Sequence, residues 1–329
     1  MSAARAVGQA LVRVTRRPWF GPLVALLVVY AFFAALKPET FLRGMILETM
    51  ASQVVVVAIA AVGMTLVIVE GGIDLSVGST VALVTVVVAR ALVAGAGPGV
   101  AVLVGIATGL ACGALNGGLI AGLGVSPFIA TLGTMSALRG LAKGLAHEQK
   151  IDAPAQGLDE LMALAPRGSP WLVSPGVWIA GALALAGAVL LGRTRFGRHV
   201  VAVGSNARTA RLCGISVGRV TVATYALAGA LAGVAGVMEF GKLTVGDPTD
   251  APGLELDVIA AVVIGGGSLS GGQGSVAGSL IGAALMTVLK NGSMHLGVAN
   301  WVQQILTGAI IVAAAALDRY RQKRAGALS

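Results

Sequence analysis

The chain has 329 residues, of which 56% are hydrophobic and only 11% are charged, and its mean hydropathy is +0.89. An average soluble domain has about 25% charged residues, so this composition excludes a soluble fold and predicts an integral membrane protein. The net charge of +9 does not indicate nucleic-acid binding, because only 4% of the residues are aromatic and the basic residues collect between apolar runs.

Ten apolar segments follow one another along the chain, and each is predicted to be a helix because isolated strands cannot satisfy their backbone in lipid. The segments are 19–36, 51–69, 77–94, 99–122, 126–146, 172–191, 220–240, 257–266, 275–290 and 301–317. The predicted fold class is therefore all-α, a polytopic helical bundle in the lipid bilayer that forms one transmembrane domain over residues 1–329. Rows of glycines within the segments, such as Gly229, Gly233 and Gly236, predict close helix packing.

The distribution of basic residues predicts the orientation of the bundle, because positively charged segments stay cytoplasmic. Three segments are rich in arginine and lysine: the N-terminus, the loop 193–219 and the C-terminus. If the chain crosses the membrane ten times, these three segments lie on the same side of it. Both termini and the loop 193–219 are therefore predicted to be cytoplasmic. The long loop 147–171 on the opposite side is predicted to be external.

Two glycine-rich breaks interrupt the apolar pattern. Residues 71–76 follow the second segment and residues 265–270 follow the eighth, and both fit Gly-Gly-x-x-Leu-Ser. The eighth segment has about ten apolar residues, roughly 15 Å of helix, so we expect it to be broken or re-entrant. Corresponding glycine interruptions in two halves of a membrane protein point to a transport pathway.

The first break carries Asp74, and a carboxylate at membrane depth costs about 2.5–3.5 kcal/mol on insertion scales. Asp74 either caps a helix that starts near Leu75 or lines a gate, and both interpretations stay open. Asp257, at the start of the eighth segment, is expected to be a simple cap. Polar residues in the fifth segment either bond neighbouring helices or line the pathway. The candidate pathway or gate residues are Gly71, Gly72, Asp74, Ser76, Thr131, Thr134, Gly266 and Ser268.

Residues 269–273 spell Leu-Ser-Gly-Gly-Gln, the signature sequence of ATP-binding-cassette ATPases. A nucleotide hydrolase also needs a Gly-Lys-Ser/Thr loop to hold the phosphates, and the one Gly-Lys pair, Gly241-Lys242, is followed by Leu243. We therefore interpret the pentapeptide as a chance match, and the chain is not expected to be an enzyme.

The basic loop 193–219 contains the signals of a short helix. Ser205 or Asn206 can cap a helix from Ala207 to Cys213, and Gly214 supplies a left-handed stop. Leu212 and Ile215 are expected to form an apolar contact. A capped, basic helix indicates a docking surface, and the alternative is a solvated loop. The candidate docking residues are Ser205, Asn206, Ala207, Arg208, Thr209, Arg211, Leu212, Cys213, Gly214 and Ile215.

Three motifs in order, residues 71–79, 202–215 and 255–266, resemble the membrane permeases of bacterial ribose-type monosaccharide ABC importers, and the likeness covers nearly the whole chain. The resemblance implies an inner-membrane permease dimer, with a second copy or a related permease, two cytoplasmic ATPase domains and a periplasmic or lipid-anchored sugar-binding protein. It also implies that residues 206–214 form the coupling helix. Cys213 and Arg208-Thr209 depart from the usual pattern, which bears on the identity of the ATPase.

The leading hypothesis is the permease subunit of an ATP-driven importer for a pentose, hexose or related polyol, with no cofactor, metal or catalytic residue. One alternative is a self-sufficient secondary transporter, which the docking helix and the scarcity of carboxylates within the spans disfavour. A branched-chain amino acid permease is the nearest alternative within the family, disfavoured by the Gly-Gly-Ile-Asp-Leu-Ser form of the first motif.

Overall fold

The structure of the chain, a computed structural model, describes residues 19–164 and 173–326, and these residues form thirteen α-helices and a two-stranded antiparallel ribbon. The helices are α1 Phe20–Leu36, α2 Pro38–Phe41, α3 Gly44–Glu70, α4 Val77–Val93, α5 Pro98–Leu123, α6 Pro127–Leu145, α7 Pro175–Arg193, α8 Arg195–Ser205, α9 Ala207–Leu212, α10 Val217–Leu243, α11 Leu254–Ile264, α12 Val276–His295 and α13 Asn300–Gly326. The ribbon pairs β1 Ile151–Asp152 with β2 Val245–Gly246, and Asp159–Leu161 is a short 3-10 helix.

The all-α prediction is confirmed, because each of the ten apolar segments coincides with a helix. Four helices among the described residues, α3, α5, α7 and α10, are long and apolar enough to cross a membrane by length and composition alone. The number of spans and the orientation stay predictions. The basic N-terminal residues 5–17 and the part of the predicted external loop from residue 165 onward lie outside the described residues.

Local sequence signals set the helix ends. Pro98, Pro127 and Pro175 occupy the first turn of α5, α6 and α7, where the missing N–H group costs nothing. Gly71 and Gly124 end α3 and α5 in the left-handed conformation, with φ of 93° and 67°. These positions favour glycine because a Cβ is strained there.

Glycines bring α5 and α10 into backbone contact. A Cβ on Gly109 would lie 2.6 Å from the Gly233 Cα, and a Cβ on Gly113 would lie 2.9 Å from the Gly229 Cα. Small residues at this spacing allow membrane helices to approach closely, so the predicted packing role of Gly229 and Gly233 is confirmed.

The helices run between two ends of the bundle. One end, which we call the α9 end, holds α8, α9, the end of α3 and the start of α10. The other, the ribbon end, holds β1 and β2, the end of α10 and the start of α11. Helix α11 has only 11 residues, about 16 Å, and α12 packs back along it after a turn, so the predicted short helix is confirmed.

The segment 147–164 is fastened to the ribbon end. Lys150 forms an ion pair of 2.9 Å with Asp247, and Arg139 donates hydrogen bonds to the Pro248 and Asp250 carbonyls at 3.1 and 2.6 Å. Although burial opposes the effect, hydrogen bonds from Thr249 and Lys150 lower the pKa of the Asp247 carboxyl. The contacts fix the connection between α10 and α11.

The expected role of Asp257 is wrong. Gly253 is the N-cap of α11, and Asp257 lies inside its first turn, buried, where it forms an ion pair with Lys290 of α12. The helix starts three residues earlier than predicted because Gly253, with φ of 79°, adopts the turn that begins it. Asp257 therefore joins α11 to α12.

Candidate functional site

Asp74 is the centre of a buried chain of hydrogen bonds. Its Oδ1 accepts from the Ser76 backbone N–H at 2.8 Å and from the Ser76 hydroxyl at 2.6 Å. The Asn116 amide donates to the Ser76 Oγ at 2.8 Å, and the Thr134 hydroxyl donates to the Asn116 Oδ1 at 2.6 Å. No side chain of this set, which we call the Asp74 network, is more than 7% exposed. The network connects the break after α3 with α5 and α6.

The backbone of the break is held from two further sides. The Thr131 hydroxyl lies 3.1 Å from the Ile73 carbonyl, and the Tyr225 hydroxyl donates to the same carbonyl at 3.3 Å. At the end of α3, the Glu70 Oε1 accepts from the Thr221 hydroxyl at 2.5 Å, while its Oε2 has no hydrogen-bond partner among the described residues. The break is therefore clamped between α6 and α10.

The structure answers part of the question about Asp74. Helix α4 begins at Val77 with Ser76 as its N-cap, and no side chain caps it. Asp74 instead fixes Ser76 in place, so it is not the helix cap that one interpretation expected. Four predicted pathway residues, Asp74, Ser76, Thr131 and Thr134, are brought together here.

Asn116 and Tyr225 also belong to this site, although neither was predicted from the sequence. Asn116 bridges Ser76 and Thr134 and is fully buried. Its signal was present in the sequence: it is an amide within the apolar segment 99–122, and such residues usually find a partner on a neighbouring helix. Tyr225 gave no comparable signal, because an isolated tyrosine in a long apolar helix is common.

At the α9 end, the predicted short helix is confirmed. The Asn206 Oδ1 accepts from the Thr209 backbone N–H at 2.9 Å, and Gly214 has φ of 83°. The Ile215 N–H donates to the Ala210 carbonyl at 3.0 Å, which closes the helix end. Helix α9 is therefore short but fixed at both ends.

One face of α9 is buried and the other is exposed. Ala210 is buried and Ile215 packs beside it against an apolar cluster. Leu212 is 84% exposed, so it does not provide the predicted contact with Ile215, and the left-handed turn at Gly214 separates the two side chains. The other predicted docking residues, from Ser205 to Thr209 and from Arg211 to Gly214, are exposed.

The preceding helix α8 was not predicted, and it supports α9. Thr194 caps it by accepting from the Gly197 N–H at 3.1 Å, and Val200 and Val203 are buried against Val69 of α3. The cap and the helical spacing of Phe196, Val200 and Val203 were the signals that could have revealed it. The predicted loop is largely helical, and α9 is mounted on the bundle rather than free in solvent.

Three parts of the chain meet by backbone contact at what we call the glycine junction, formed by Gly71, Gly204, Gly271 and Gly272. The Gly272 N–H donates to the Val69 carbonyl at 2.8 Å. A Cβ on Gly204 would lie 2.7 Å from the Gly272 N, and a Cβ on Gly271 would lie 2.9 Å from the Gly71 Cα. The junction joins the end of α8, which leads directly into α9, to the break that carries Asp74.

Of the remaining predicted residues, Gly72 lies against the Tyr225 ring, and its backbone N–H bonds the Val67 carbonyl at 2.9 Å. Gly266 has φ of 91° and begins the turn after α11. Ser268 is buried in that turn, and its N–H donates to the Gln273 carbonyl at 3.0 Å. These two residues shape the second break and do not belong to the Asp74 network.

The Leu-Ser-Gly-Gly-Gln turn is thus a structural part of the junction. Gly271 and Gly272 have φ of 82° and 75° and face Gly204 and Ser205, whereas the Gln273 side chain is exposed. We expect Gln273→Ala to leave the thermal unfolding midpoint nearly unchanged, because the side chain is exposed. Thermal unfolding of the purified chain measures this, and a clear fall in the midpoint would contradict it.

The described residues form a bundle of apolar helices with a break held between α6 and α10 and a short exposed helix at one end, an architecture consistent with a membrane transport protein. The chain matches the family described as branched-chain amino acid transport system / permease component over residues 46–315. It belongs to this family of membrane permeases.

Several curated proteins are similar along nearly their whole length. The ribose import permease protein RbsC of Escherichia coli (strain K12) is 40% identical over 300 residues, 91% of this chain and 93% of that protein. RbsC of Bacillus subtilis (strain 168) is 38% identical over 91% of this chain and 92% of its own. The D-allose transport system permease protein AlsC of Escherichia coli (strain K12) is 32% identical over 92% of both chains. No solved structure matches the chain.

Proposed function

We propose that this chain is the membrane-spanning subunit of an ABC importer that moves a monosaccharide across the cytoplasmic membrane. The observation that carries the proposal is the 40% identity with a ribose import permease over 91% of the chain. An allose permease is similar over the same extent, so the sugar is a pentose, a hexose or a related polyol. Residues 1–329 form one permease domain, with the α9 end in the cytoplasm.

The partners follow from this assignment. A separate ATPase subunit hydrolyses ATP on the cytoplasmic side, a periplasmic or lipid-anchored sugar-binding protein delivers the sugar outside, and a second permease completes the pathway. Helix α9 is the coupling helix: its buried Ala210 anchors it, and its exposed Arg208, Arg211 and Leu212 are suited to an acidic and apolar groove on the ATPase. The lipid bilayer covers the exposed leucines and valines of the outer helices.

The break at Asp74 is the cytoplasmic gate in this proposal. Support comes from the glycine junction, because only two residues, Ser205 and Asn206, separate α9 from Gly204, and Gly204 is in contact with Gly71. Movement of Gly71 alters the break, and the Asp74 network holds the break in one position until that happens. The pathway residues Asp74, Ser76, Thr131 and Thr134 then separate or close around the sugar.

The proposal is tested with the complex reconstituted in vesicles together with its ATPase and binding protein. We expect ATP-dependent uptake of ribose or allose that requires the binding protein and fails with ADP. Uptake of leucine but no sugar would assign the chain to the amino acid branch that the family description names. Uptake by the chain alone under an ion gradient, without ATP, would make it a secondary transporter.

The coupling assignment predicts the effect of a double variant at α9. Gly214→Val together with Leu212→Asp is expected to reduce both sugar uptake and transport-stimulated ATPase activity, while the protein still inserts. Valine in the left-handed conformation costs about 1–2 kcal/mol and tilts α9, and the aspartate removes the exposed apolar contact. Uptake and phosphate release of the same vesicles measure the two activities.

The matched control is Gly297→Val at the ribbon end. Gly297 also has positive φ, 73°, and a Cβ there would meet no atom within 4 Å, as at Gly214. The control carries the same backbone strain far from the ATPase, so it is expected to transport. Wild-type uptake and ATPase activity in the double variant would make α9 a solvated connector.

A further inference from the structure

A cavity of about 250 Å³ opens at the ribbon end between α3, α10, α11 and α12. It has room for about eight water molecules at liquid density, the scale of one small sugar rather than an oligosaccharide. Helix α10 has 27 residues and is about 40 Å long, so the cavity lies at the opposite end of the bundle from α9. None of the residues predicted to line the pathway contributes to it.

Two ion pairs line the cavity. Lys242 lies 3.0 Å from Glu239 on α10, and Lys290 of α12 pairs with Asp257 of α11. The carboxylates are buried, with side chains 10% and 9% exposed, while the lysines are about half exposed at 44% and 49%. Two positive and two negative charges cancel, so the lining favours an uncharged ligand over an ion. Each lysine has three donors and each carboxylate several acceptor sites, so a single ion pair leaves capacity for hydroxyl groups.

An amide pair completes the polar wall. The Asn291 amide donates to the Gln53 Oε1 at 2.5 Å and to the Thr287 carbonyl at 3.0 Å. Asn291 is 4% exposed and Thr287 is 6% exposed, so α12 holds these side chains in fixed positions toward α3. Alternating donors and acceptors on fixed side chains are what a polyhydroxyl compound requires for recognition.

We propose that this cavity is a monosaccharide-binding site at the external mouth of the permease, where the sugar enters from the binding protein. The inference rests on the proposed function and deepens it. The sugar's hydroxyl groups replace water between the two ion pairs and the amide pair. A ligand with a net charge, such as an amino acid carboxylate without its ammonium partner, is not expected to bind there more tightly than a neutral one.

The direct test uses Val57→Cys in the assembled complex, in vesicles with the external side outward, because Val57 lines the cavity and is partly exposed. A small membrane-impermeant methanethiosulfonate reagent is expected to label the introduced thiol at position 57, and ribose about tenfold above its Kd is expected to slow labelling about tenfold. The native chain gives the background, because Cys112 is buried and the exposed Cys213 lies at the opposite end. Any of three results would overturn the site. These are no labelling from outside, labelling that ribose does not slow, and equal protection by the binding protein without sugar.

A second test fills the cavity. Val57→Phe on α3 is expected to lower the sugar transported per ATP hydrolysed about tenfold, while ATPase activity stimulated by the binding protein is kept. Val100→Phe on α5 is the matched control, because Val100 is 54% exposed and lies outside the cavity. Equal transport ratios in the two variants would overturn the inference. Failure of the native complex to transport any monosaccharide would instead overturn the proposed function.

Discussion

Gly204→Val is expected to abolish ATP-dependent uptake and to destabilise the protein. The new side chain meets backbone on two sides, because a Cβ at this position lies 2.7 Å from the Gly272 N and 2.9 Å from the Glu70 carbonyl carbon. Backbone atoms cannot rotate away as a flexible side chain can, so the junction must open. Overpacking of this kind costs about 1–3 kcal/mol and sometimes more.

The effect is measured as sugar uptake in vesicles and as the thermal unfolding midpoint of the purified complex. Gly118→Val serves as the control, because Gly118 is on α5 and a Cβ there meets no atom within 4 Å. The control is expected to insert, unfold and transport like the native chain. Native uptake by Gly204→Val would show that the three segments do not need their backbone contact.

Asp74→Leu is expected to give the second large effect, a strong loss of uptake. The Ser76 backbone N–H and hydroxyl both donate to Asp74, and leucine leaves these buried donors without an acceptor. Each buried unsatisfied group costs about 1–3 kcal/mol. The break then keeps only its contacts with Thr131, Tyr225, Asn116 and the neighbouring backbone.

Asp74→Asn separates a structural role from a gating role. Asparagine keeps an oxygen that accepts from Ser76 but has no charge, so it is expected to restore the unfolding midpoint and to leave uptake impaired. Full uptake by the asparagine variant would reduce Asp74 to a structural acceptor. Native uptake by Asp74→Leu as well would show that the break is not part of the gate.

Helix positions were predictable from sequence because apolar runs and caps are local signals. Asn206 and Gly214 delimited α9 correctly, since capping depends on residues within one turn. Helix α8 was not predicted because its basic residues are typical of a cytoplasmic loop, and the packing of its apolar residues on Val69 of α3 is a long-range contact. Asp257 was misassigned because its partner Lys290 is distant in sequence.

In the candidate site, too, local features were predictable from the sequence and long-range contacts were not. Asp74 and Ser76 stand beside each other in the chain, whereas Asn116 and Tyr225 come from helices whose neighbours the sequence alone does not give. In the sequence, the glycines of the junction form separate pairs with no sign that they lie together. The packing of α3 against α8 determines which of them contact another backbone segment and which only end a helix.

The glycine contact between α5 and α10 constrains how the molecule changes shape. Gly109 and Gly113 are set directly against Gly233 and Gly229, so at this contact no side chain lies between the two backbones to change rotamer and absorb sliding. Closely packed surfaces of this kind move together, so α5 and α10 form one rigid body during a transport cycle.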